Sequence, residues 1–144
     1  MKHDRILGLD YGSKTVGVAV TDGLGLTAVS LETIWRKKEN HLRTTIRRIE
    51  ELVAEYDIKK IVVGLPLKMD GTEGERAHFA REFAGMIEER THLEVVMQDE
   101  RLTTAEAREI IDLTGNYSEN PKGHIDAMAA AIILTDHINQ YKDI

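Results

Sequence analysis

The hydrophobic pattern of the first third of the chain predicts three strands joined by short turns. RILGLD and TVGVAV are apolar segments on either side of a turn at Gly12, and the valines of TVGVAV alternate with small residues, so that one face is bulky and the other bare. Asp22-Gly23 marks a second turn, and AVSLETI has the pattern of a third strand. Strands at this spacing indicate an antiparallel meander.

From residue 42 onward the pattern changes to helices that alternate with strands. Leu42, Ile46, Ile49 and Val53 step by four, three and four positions, which predicts an amphipathic helix. KIVVGL is a nearly continuous apolar run, typical of a strand covered on both faces. A turn-rich loop, PLKMDGTEGE, then leads to a predicted helix over about 76–90 and to a fifth strand, LEVVM.

The C-terminal third is predicted to be helical in two segments. Thr103 begins the capping pattern T-T-A-E, and Gly115 ends that helix. The final helix contains AMAAAIIL, which is apolar nearly all round. The order of strands and helical regions is therefore βββαβαβα, which predicts an α/β fold with a mixed sheet and helices on both faces. In such a sheet, a site forms where strands 1, 4 and 5 present their carboxyl ends.

Composition indicates a single-domain protein of the cytoplasm. The 144 residues correspond to one domain, 1–144, and 42% of them are apolar. No apolar run approaches the ~18 residues that a membrane span needs, and the opening MKHDRILGLD is not a signal peptide. The sequence contains no cysteine, which fits a reducing compartment and excludes thiolate chemistry. We expect no membrane contact and a cytoplasmic location.

Charge is distributed unevenly along the chain. The net charge of −6 argues mildly against a protein that coats nucleic acid, yet residues 1–48 carry nine Lys and Arg against five Asp and Glu. Most of this positive charge belongs to one basic segment, whose members are Arg36, Lys37, Lys38, Arg43, Arg47 and Arg48. The segment predicts a surface that contacts phosphates. A solvated helix face is the alternative.

Acidic residues end or begin three of the apolar elements. Asp10 ends the first strand, Asp99 and Glu100 end the fifth, and Asp126 opens the final helix. Unpaired carboxylates on apolar elements cost several kcal/mol, so a cluster of them suits divalent cations. Two Mg²⁺ ions about 3.5–4 Å apart can activate water and stabilise the leaving oxygen in phosphodiester cleavage. The alternative is that Asp10 caps a turn and Asp126 caps its helix.

Four motifs together resemble one known family. They are GLDYGSKTVGVAVTD, VVGLPLKMDGTEG, DERLTT and the helix IDAMAAAIIL, in this order and across essentially the whole chain. They resemble the YqgF/RuvX family, RNase H-like proteins described as Holliday junction resolvases and as nucleases that mature the 5′ end of pre-16S rRNA. The opening Asp-x-Gly is shared with sugar kinases and actin-like ATPases, whereas DERLTT with the upstream glycine motif is specific.

The resemblance implies an RNase H-like fold with a five-stranded mixed sheet in which strand 2 is antiparallel. It assigns an acidic metal-binding and catalytic triad to Asp10, Glu100 and Asp126, with Mg²⁺ as the cofactor and Mn²⁺ as a substitute. In the mechanism it implies, metal-bound water attacks phosphorus in line and leaves a 5′-phosphate and a 3′-hydroxyl.

The basic residues near these motifs are candidates for substrate binding. Lys14 in the first turn is the expected phosphate contact, and Arg101 either clamps a phosphate or pairs with a neighbouring acid. The other candidates are Lys122, Arg43 and Arg47. Here Lys14 is followed by Thr15, and only Lys122-Gly123-His124 precedes the last Asp, whereas family members are more basic at both places. These departures affect substrate affinity more than chemistry.

Other residues have more ordinary interpretations. Thr103 and Thr104 are expected to be helix caps, and His124 is a weak candidate for proton transfer. Asp99 either supports the acidic site or faces solvent. Trp35 can stack on a base, but a boundary residue packed on the sheet is the favoured interpretation. The loop that starts at Gly64-Leu65-Pro66 either faces substrate or simply forms turns.

The leading hypothesis is a Mg²⁺-dependent endonuclease that acts on structured nucleic acid, pre-16S rRNA in the small-subunit precursor. The alternatives are a Holliday junction resolvase acting on branched DNA, for which a symmetric dimer would be expected, and a non-catalytic nucleic-acid-binding module. The sequence is compatible with a monomer or a homodimer. An actin-like phosphotransferase is excluded, because that architecture needs two such domains and 144 residues supply one.

Overall fold

The computed structural model describes residues 4–100 and 121–141. In chain order the elements are β1 (Arg5–Tyr11), β2 (Thr15–Thr21), β3 (Ala28–Trp35), α1 (Arg43–Glu55), β4 (Ile58–Leu65), α2 (Glu75–Thr91), β5 (Glu94–Asp99) and α3 (Pro121–Tyr141). This is the predicted order βββαβαβα for the described residues. The predicted helix that begins at Thr103 lies outside them.

The five strands form one mixed sheet in the order β3-β2-β1-β4-β5. β2 is antiparallel to both of its neighbours, whereas β1, β4 and β5 are mutually parallel. The short β1–β2 turn permits only antiparallel pairing, while α1 and α2 provide the crossover connections that parallel strands need. The predicted α/β fold, with strand 2 antiparallel, is confirmed.

The two faces of the sheet are covered by different helices because the strand residues alternate in size. Val16, Val18 and Val20 point into the larger apolar cluster, which α1 and α2 cover. Ala19 belongs to the smaller cluster on the opposite face, which α3 covers. Gly17 lies on that second face as well, and a methyl group there would overlap the carbonyl oxygen of Asp126. The bare face expected from the sequence is therefore the groove in which α3 lies.

Among the described residues, no helix is both long enough and apolar enough to cross a membrane.

Candidate active site

Asp10 and Glu100 lie at the edge of the sheet where the parallel strands end. Leu9 and Tyr11 belong to the cluster under α1 and α2, so alternation turns Asp10 toward the face of α3. Glu100 follows the last residue of β5, and its backbone N–H donates to the carbonyl of Leu65 over 3.2 Å. The carboxyl ends of β1 and β5 thus supply the two acids, as the strand order predicts.

A missing side chain brings these two carboxyl groups together. β4 separates β1 from β5, and its residue Gly64 lies under the Glu100 side chain. A Cβ at Gly64 would lie 2.7 Å from Glu100 Cδ and 2.6 Å from Ile133 Cδ1. The absence of this atom lets the Glu100 carboxyl lie over β4, where it hydrogen-bonds to the side chain of Asp10.

The environment of Glu100 favours its neutral form. Burial has the largest effect; the negative charge of Asp10, the hydrogen bond with Asp10 and the charge of Asp99 follow, and together they raise the pKa of Glu100 to about 10. Asp99 itself is exposed. A cation bound beside Asp10 and Glu100 would offset the same repulsion between their charges.

Asp126 comes from the opposite layer. It is the sixth residue of α3 and is buried, so the interpretation that it caps the helix is wrong. Its Oδ2 accepts a hydrogen bond of 2.7 Å from Thr15 Oγ1 on β2. The backbone of Asp126 packs on Gly17, which is the β2 residue paired with Asp10. The three acids therefore approach the same end of one sheet face.

The donor set fits a divalent cation, although the side chains are not arranged as a closed coordination shell. Within residues 4–100 and the described part of α3, no three His, Asp or Glu side chains are placed to hold a metal ion together. Asp10 and Glu100 bond to each other, while Asp126 bonds to Thr15. Carboxylate oxygens are the ligands that Mg²⁺ and Mn²⁺ take in proteins, so the chemistry of the set suits these ions.

Two members of the basic segment have structural roles instead of the expected surface role. Arg36 is buried: its Nη2 donates to the Gly12 carbonyl over 2.6 Å, and its Nε donates to the carbonyl of Glu39. Arg48 makes a two-pronged pair with Glu32 on β3, at 2.7 and 2.9 Å. In the sequence these two arginines look like the other basic residues of the segment. Only the packing of the folded chain distinguishes them.

The remaining basic candidates of the described residues are exposed. Lys14 lies in the β1–β2 turn, beside the acidic edge, and Arg43 and Arg47 are exposed on α1. Arg101, Thr103 and Thr104 lie outside the described residues. Lys122 and His124 belong to the backbone of α3, but their side chains lie outside the description.

The loop after β4 is a turn built by its own residues. Asp70 Oδ1 accepts hydrogen bonds from the N–H and the hydroxyl of Thr72, at 2.9 and 2.6 Å, and Gly71 has a positive φ of 87°. Gly64, which the sequence analysis placed in this loop, is a residue of β4 and belongs to the acidic site. Sequence reasoning missed the roles of Thr15, Gly17 and Gly64, because each depends on which residues face α3.

Comparison with known families gives one that matches nearly all of this chain. The family described as "RuvX: Holliday junction resolvase" matches residues 4–140. All elements described above fall within that range, apart from the last residue of α3.

Curated proteins include similar chains of nearly the same length. One from Lachnospira eligens is 53% identical over 134 residues, covering 93% of this chain and 96% of the relative. One from Agathobacter rectalis is 50% identical, covering 94% of both chains, and one from Bacillus cereus is 46% identical, covering 94% of this chain and 98% of the relative. Each is named "Putative pre-16S rRNA nuclease". The predicted nuclease function is supported by these relatives.

Solved structures show the same fold at low sequence identity. RuvC of T. thermophilus in complex with a Holliday junction substrate superposes with a TM-score of 0.57 at 16% identity, covering 97% of this chain and 96% of that one. A second Thermus thermophilus RuvC structure gives 0.56 at 17% identity. The predicted RNase H-like architecture is confirmed.

Proposed function

This chain belongs to the RuvX family, and on that premise we propose that it is a metal-dependent endonuclease that hydrolyses phosphodiester bonds in structured nucleic acid, with the 5′ end of pre-16S rRNA as its substrate. The observation that carries the proposal is the Asp10–Glu100 carboxyl pair, at the end of the parallel strands and on the face covered by the helix of Asp126. Such a set of acids has no evident structural use, since burial makes their charges costly.

Each acid has a distinct part in the proposed site. Asp10, on the central strand β1, and Glu100, beyond β5, are hydrogen-bonded to each other and would hold the cation. Asp126 would complete the set from α3, with Thr15 fixing the orientation of its carboxylate. Divalent cations supply, when bound, the acidity that makes water a nucleophile near neutral pH and the charge that stabilises the leaving oxygen. Mg²⁺ is the proposed ion, and Mn²⁺ is a substitute with the same ligand preference.

The exposed basic residues would bind the phosphates on either side of the scissile bond. Lys14 adjoins the acidic edge, and Arg43 and Arg47 lie on α1. Lys122 and Arg101 are proposed for the same role on the strength of the sequence motifs alone. The protein has a net charge of −6, so its overall electrostatic field repels nucleic acid, and binding requires local positive patches of this kind.

The choice of RNA follows the names of the similar chains, which specify pre-16S rRNA. We place the protein in the cytoplasm, where the small-subunit precursor is its partner, and as a monomer or a homodimer. A Holliday junction resolvase remains the second candidate, because the family description and the bound substrate of the RuvC structure name that junction. The same acids would perform the same hydrolysis on either substrate.

The test offers the purified protein a pre-16S rRNA fragment and a four-way DNA junction, each with Mg²⁺, Mn²⁺ or EDTA. We expect cleavage of the RNA fragment with either ion, products with 5′-phosphates, and no cleavage in EDTA. Asp10→Asn keeps the size of the side chain but removes its charge, so it should abolish cleavage and leave binding intact. Cutting of the junction alone would favour the second candidate.

The matched control is Asp57→Asn. Asp57 is exposed, lies at the opposite end of the sheet beside Lys59, and has a positive φ of 52°, which Asn tolerates well. This variant loses the same charge and should cleave like the wild type. Full activity of Asp10→Asn, or metal-independent cutting, would overturn the proposed function.

A further inference from the structure

Trp35 lies on the same face of the sheet as the acidic site. It is the last residue of β3 and pairs directly with Thr15 on β2. Directly paired residues of antiparallel strands point to the same side, and the Thr15 hydroxyl bonds to Asp126 on the α3 face. The next residue inward, Ile34, is buried in the cluster on the other face. Trp35 therefore lies on the same face as the residues proposed to hold the metal, two strands away from Asp10.

This tryptophan is not packed on the sheet as the sequence suggested. Its side chain remains 48% exposed, although a large aromatic ring contributes more by burial than almost any other side chain. β3 is at the edge of the sheet order, and among the described residues its outer side pairs with no other strand. The indole is thus half exposed at an edge of the sheet, on the face of the acidic site.

Three lysines belong to the segments next to Trp35. Lys37 and Lys38 follow it, and the backbone N–H of Arg36 donates to the carbonyl of Lys14 over 2.8 Å, which places the β1–β2 turn next to them. All three lysines are exposed, and no carboxylate of the described residues pairs with them. Positive charge beside an exposed aromatic ring is the combination that binds single-stranded nucleic acid.

The loop that holds Lys37 and Lys38 is fixed to the rest of the fold by its neighbours Arg36 and Glu39. The buried guanidinium of Arg36 lies over the Tyr11 ring and bonds to the carbonyls of Gly12 and Glu39. The carboxylate of Glu39 in turn accepts hydrogen bonds from the Tyr11 hydroxyl and from Arg76 of α2. A surface held in this way is organised before any ligand arrives, which lowers the entropy cost of binding.

We propose that Trp35 is a stacking platform for an unpaired base, and that Lys14, Lys37 and Lys38 bind the phosphates of the same strand. This proposal rests on the proposed nuclease function and specifies its substrate: a nucleic acid that presents a single-stranded segment to the site. A base within a duplex is stacked on both faces by its neighbours and leaves no face for the indole. The platform accepts any base, because every base has an aromatic face.

The first experiment measures binding in EDTA, without cleavage. A fluorescein-labelled single strand of about ten nucleotides, within the usual range of site sizes, is compared by anisotropy with a duplex of the same sequence. We expect the single strand to bind more tightly. Trp35→Leu should weaken its binding about 5- to 150-fold, the range for loss of one stacked base, while Trp35→Phe keeps most of the affinity. Duplex binding should change less than twofold in both variants.

The matched control is Val29→Ala. Val29 is also exposed and also on β3, but it pairs with Val20, whose side chain points to the opposite face. Its replacement should leave single-strand binding unchanged. Equal losses in Val29→Ala and Trp35→Leu would mean that the strand, and not the stack, is responsible, and would overturn the proposal.

A second experiment uses the fact that Trp35 is the only tryptophan in the sequence. Its intrinsic fluorescence therefore reports on this site alone. The unlabelled single strand should quench the emission and reduce its accessibility to iodide, whereas the duplex should do neither. Quenching with no cleavage of any substrate would leave the platform standing and refute the nuclease. Normal cleavage, with no quenching and an unchanged KM in Trp35→Leu, would refute the platform alone.

Discussion

Asp10 and Glu100 share a hydrogen bond between their carboxyl groups even though a whole strand, β4, runs between their own strands. Neighbouring strands are about 4.8 Å apart, so β1 and β5 are separated by roughly 10 Å. The Asp10 and Glu100 side chains together bridge this gap, and the Glu100 carboxyl can lie over β4 only because Gly64 has no side chain. The pairing of two acids thus depends on a third residue that contributes no chemistry.

Gly64→Ala should therefore separate activity from stability. The new methyl group would meet the Glu100 carboxyl at 2.7 Å and the end of the Ile133 side chain at 2.6 Å, and both can move. We expect the fold to lose no more than about 1–3 kcal/mol, while displacement of the carboxyl by about 1 Å lowers the cleavage rate on the order of a hundredfold. Urea denaturation and single-turnover cleavage measure the two effects.

Gly85→Ala is the control for that substitution. A Cβ at Gly85 has nothing within 4 Å, so alanine there should stabilise α2 by about 0.5–1 kcal/mol and leave cleavage unchanged. A Gly64→Ala enzyme that is as active as Gly85→Ala would contradict the role of Gly64.

The metal-free protein should become less stable as the pH rises. The pKa of Glu100 is raised from 4.5 to about 10, so the folded chain keeps a proton that the unfolded chain loses above pH 4.5. The free energy of unfolding then falls with pH between those two values, by up to about 1.4 kcal/mol per pH unit. Glu100→Gln stays neutral and should flatten this dependence. Urea denaturation in EDTA at three pH values measures it, with the exposed Glu89→Gln as the control.

Thr15→Val should weaken both the fold and the site. Valine keeps the shape of threonine but cannot donate to the buried Asp126 carboxylate, a loss of about 1.5–3 kcal/mol for a bond to a charged group. We expect a lower apparent affinity for Mg²⁺, measured by calorimetry without substrate, and slower cleavage. Thr15→Ser retains the hydroxyl and should recover most of both. If serine performs no better than valine, the hydroxyl has no part in positioning Asp126.

Arg43 and Arg47 should contribute to substrate binding without affecting stability. Both are exposed, so replacing them together with Ala should weaken binding and reduce its salt dependence by up to about one slope unit per lost phosphate contact. Arg48→Ala is the opposite case, since its pair with Glu32 is half exposed and contributes about 0.5–1 kcal/mol to stability. Binding measured at several salt concentrations tests this. An unchanged slope in the double variant would leave the phosphate contacts to the other proposed residues, the lysines and Arg101.

Local pattern was enough to predict the fold, because strand alternation and helix spacing are properties of neighbouring residues. The valines of β2 identified the bulky face, and the acids at the strand ends identified the site edge. The sheet face on which a residue lies was harder to predict, because it also depends on how the strands pair. The face occupied by Trp35 depends on the pairing of β3 with β2, which shifts register between Val18 and Ala19. Such a register shift cannot be recognised from the alternation of residues within a single strand.

The burial of the Arg36 charge could not be predicted from the sequence either. Arg36 and Lys37 are adjacent basic residues, yet Arg36 is buried over Tyr11 and Lys37 is exposed. Arg36 differs because its guanidinium bonds to the carbonyls of Glu39 and Gly12, and Gly12 comes near it only in the folded chain.

The position of Asp126 on α3, late in the chain, also means that the three acids are synthesised at different times. Its partner Thr15 precedes it by 111 residues, and translation delivers Asp10 and Glu100 well before the codons of this helix are read. A growing chain thus possesses two acids of the proposed three, and it cannot seat the third until α3 has left the ribosome and docked on β2. Under the proposed function, the chain should therefore cleave nucleic acid only after α3 has docked on β2.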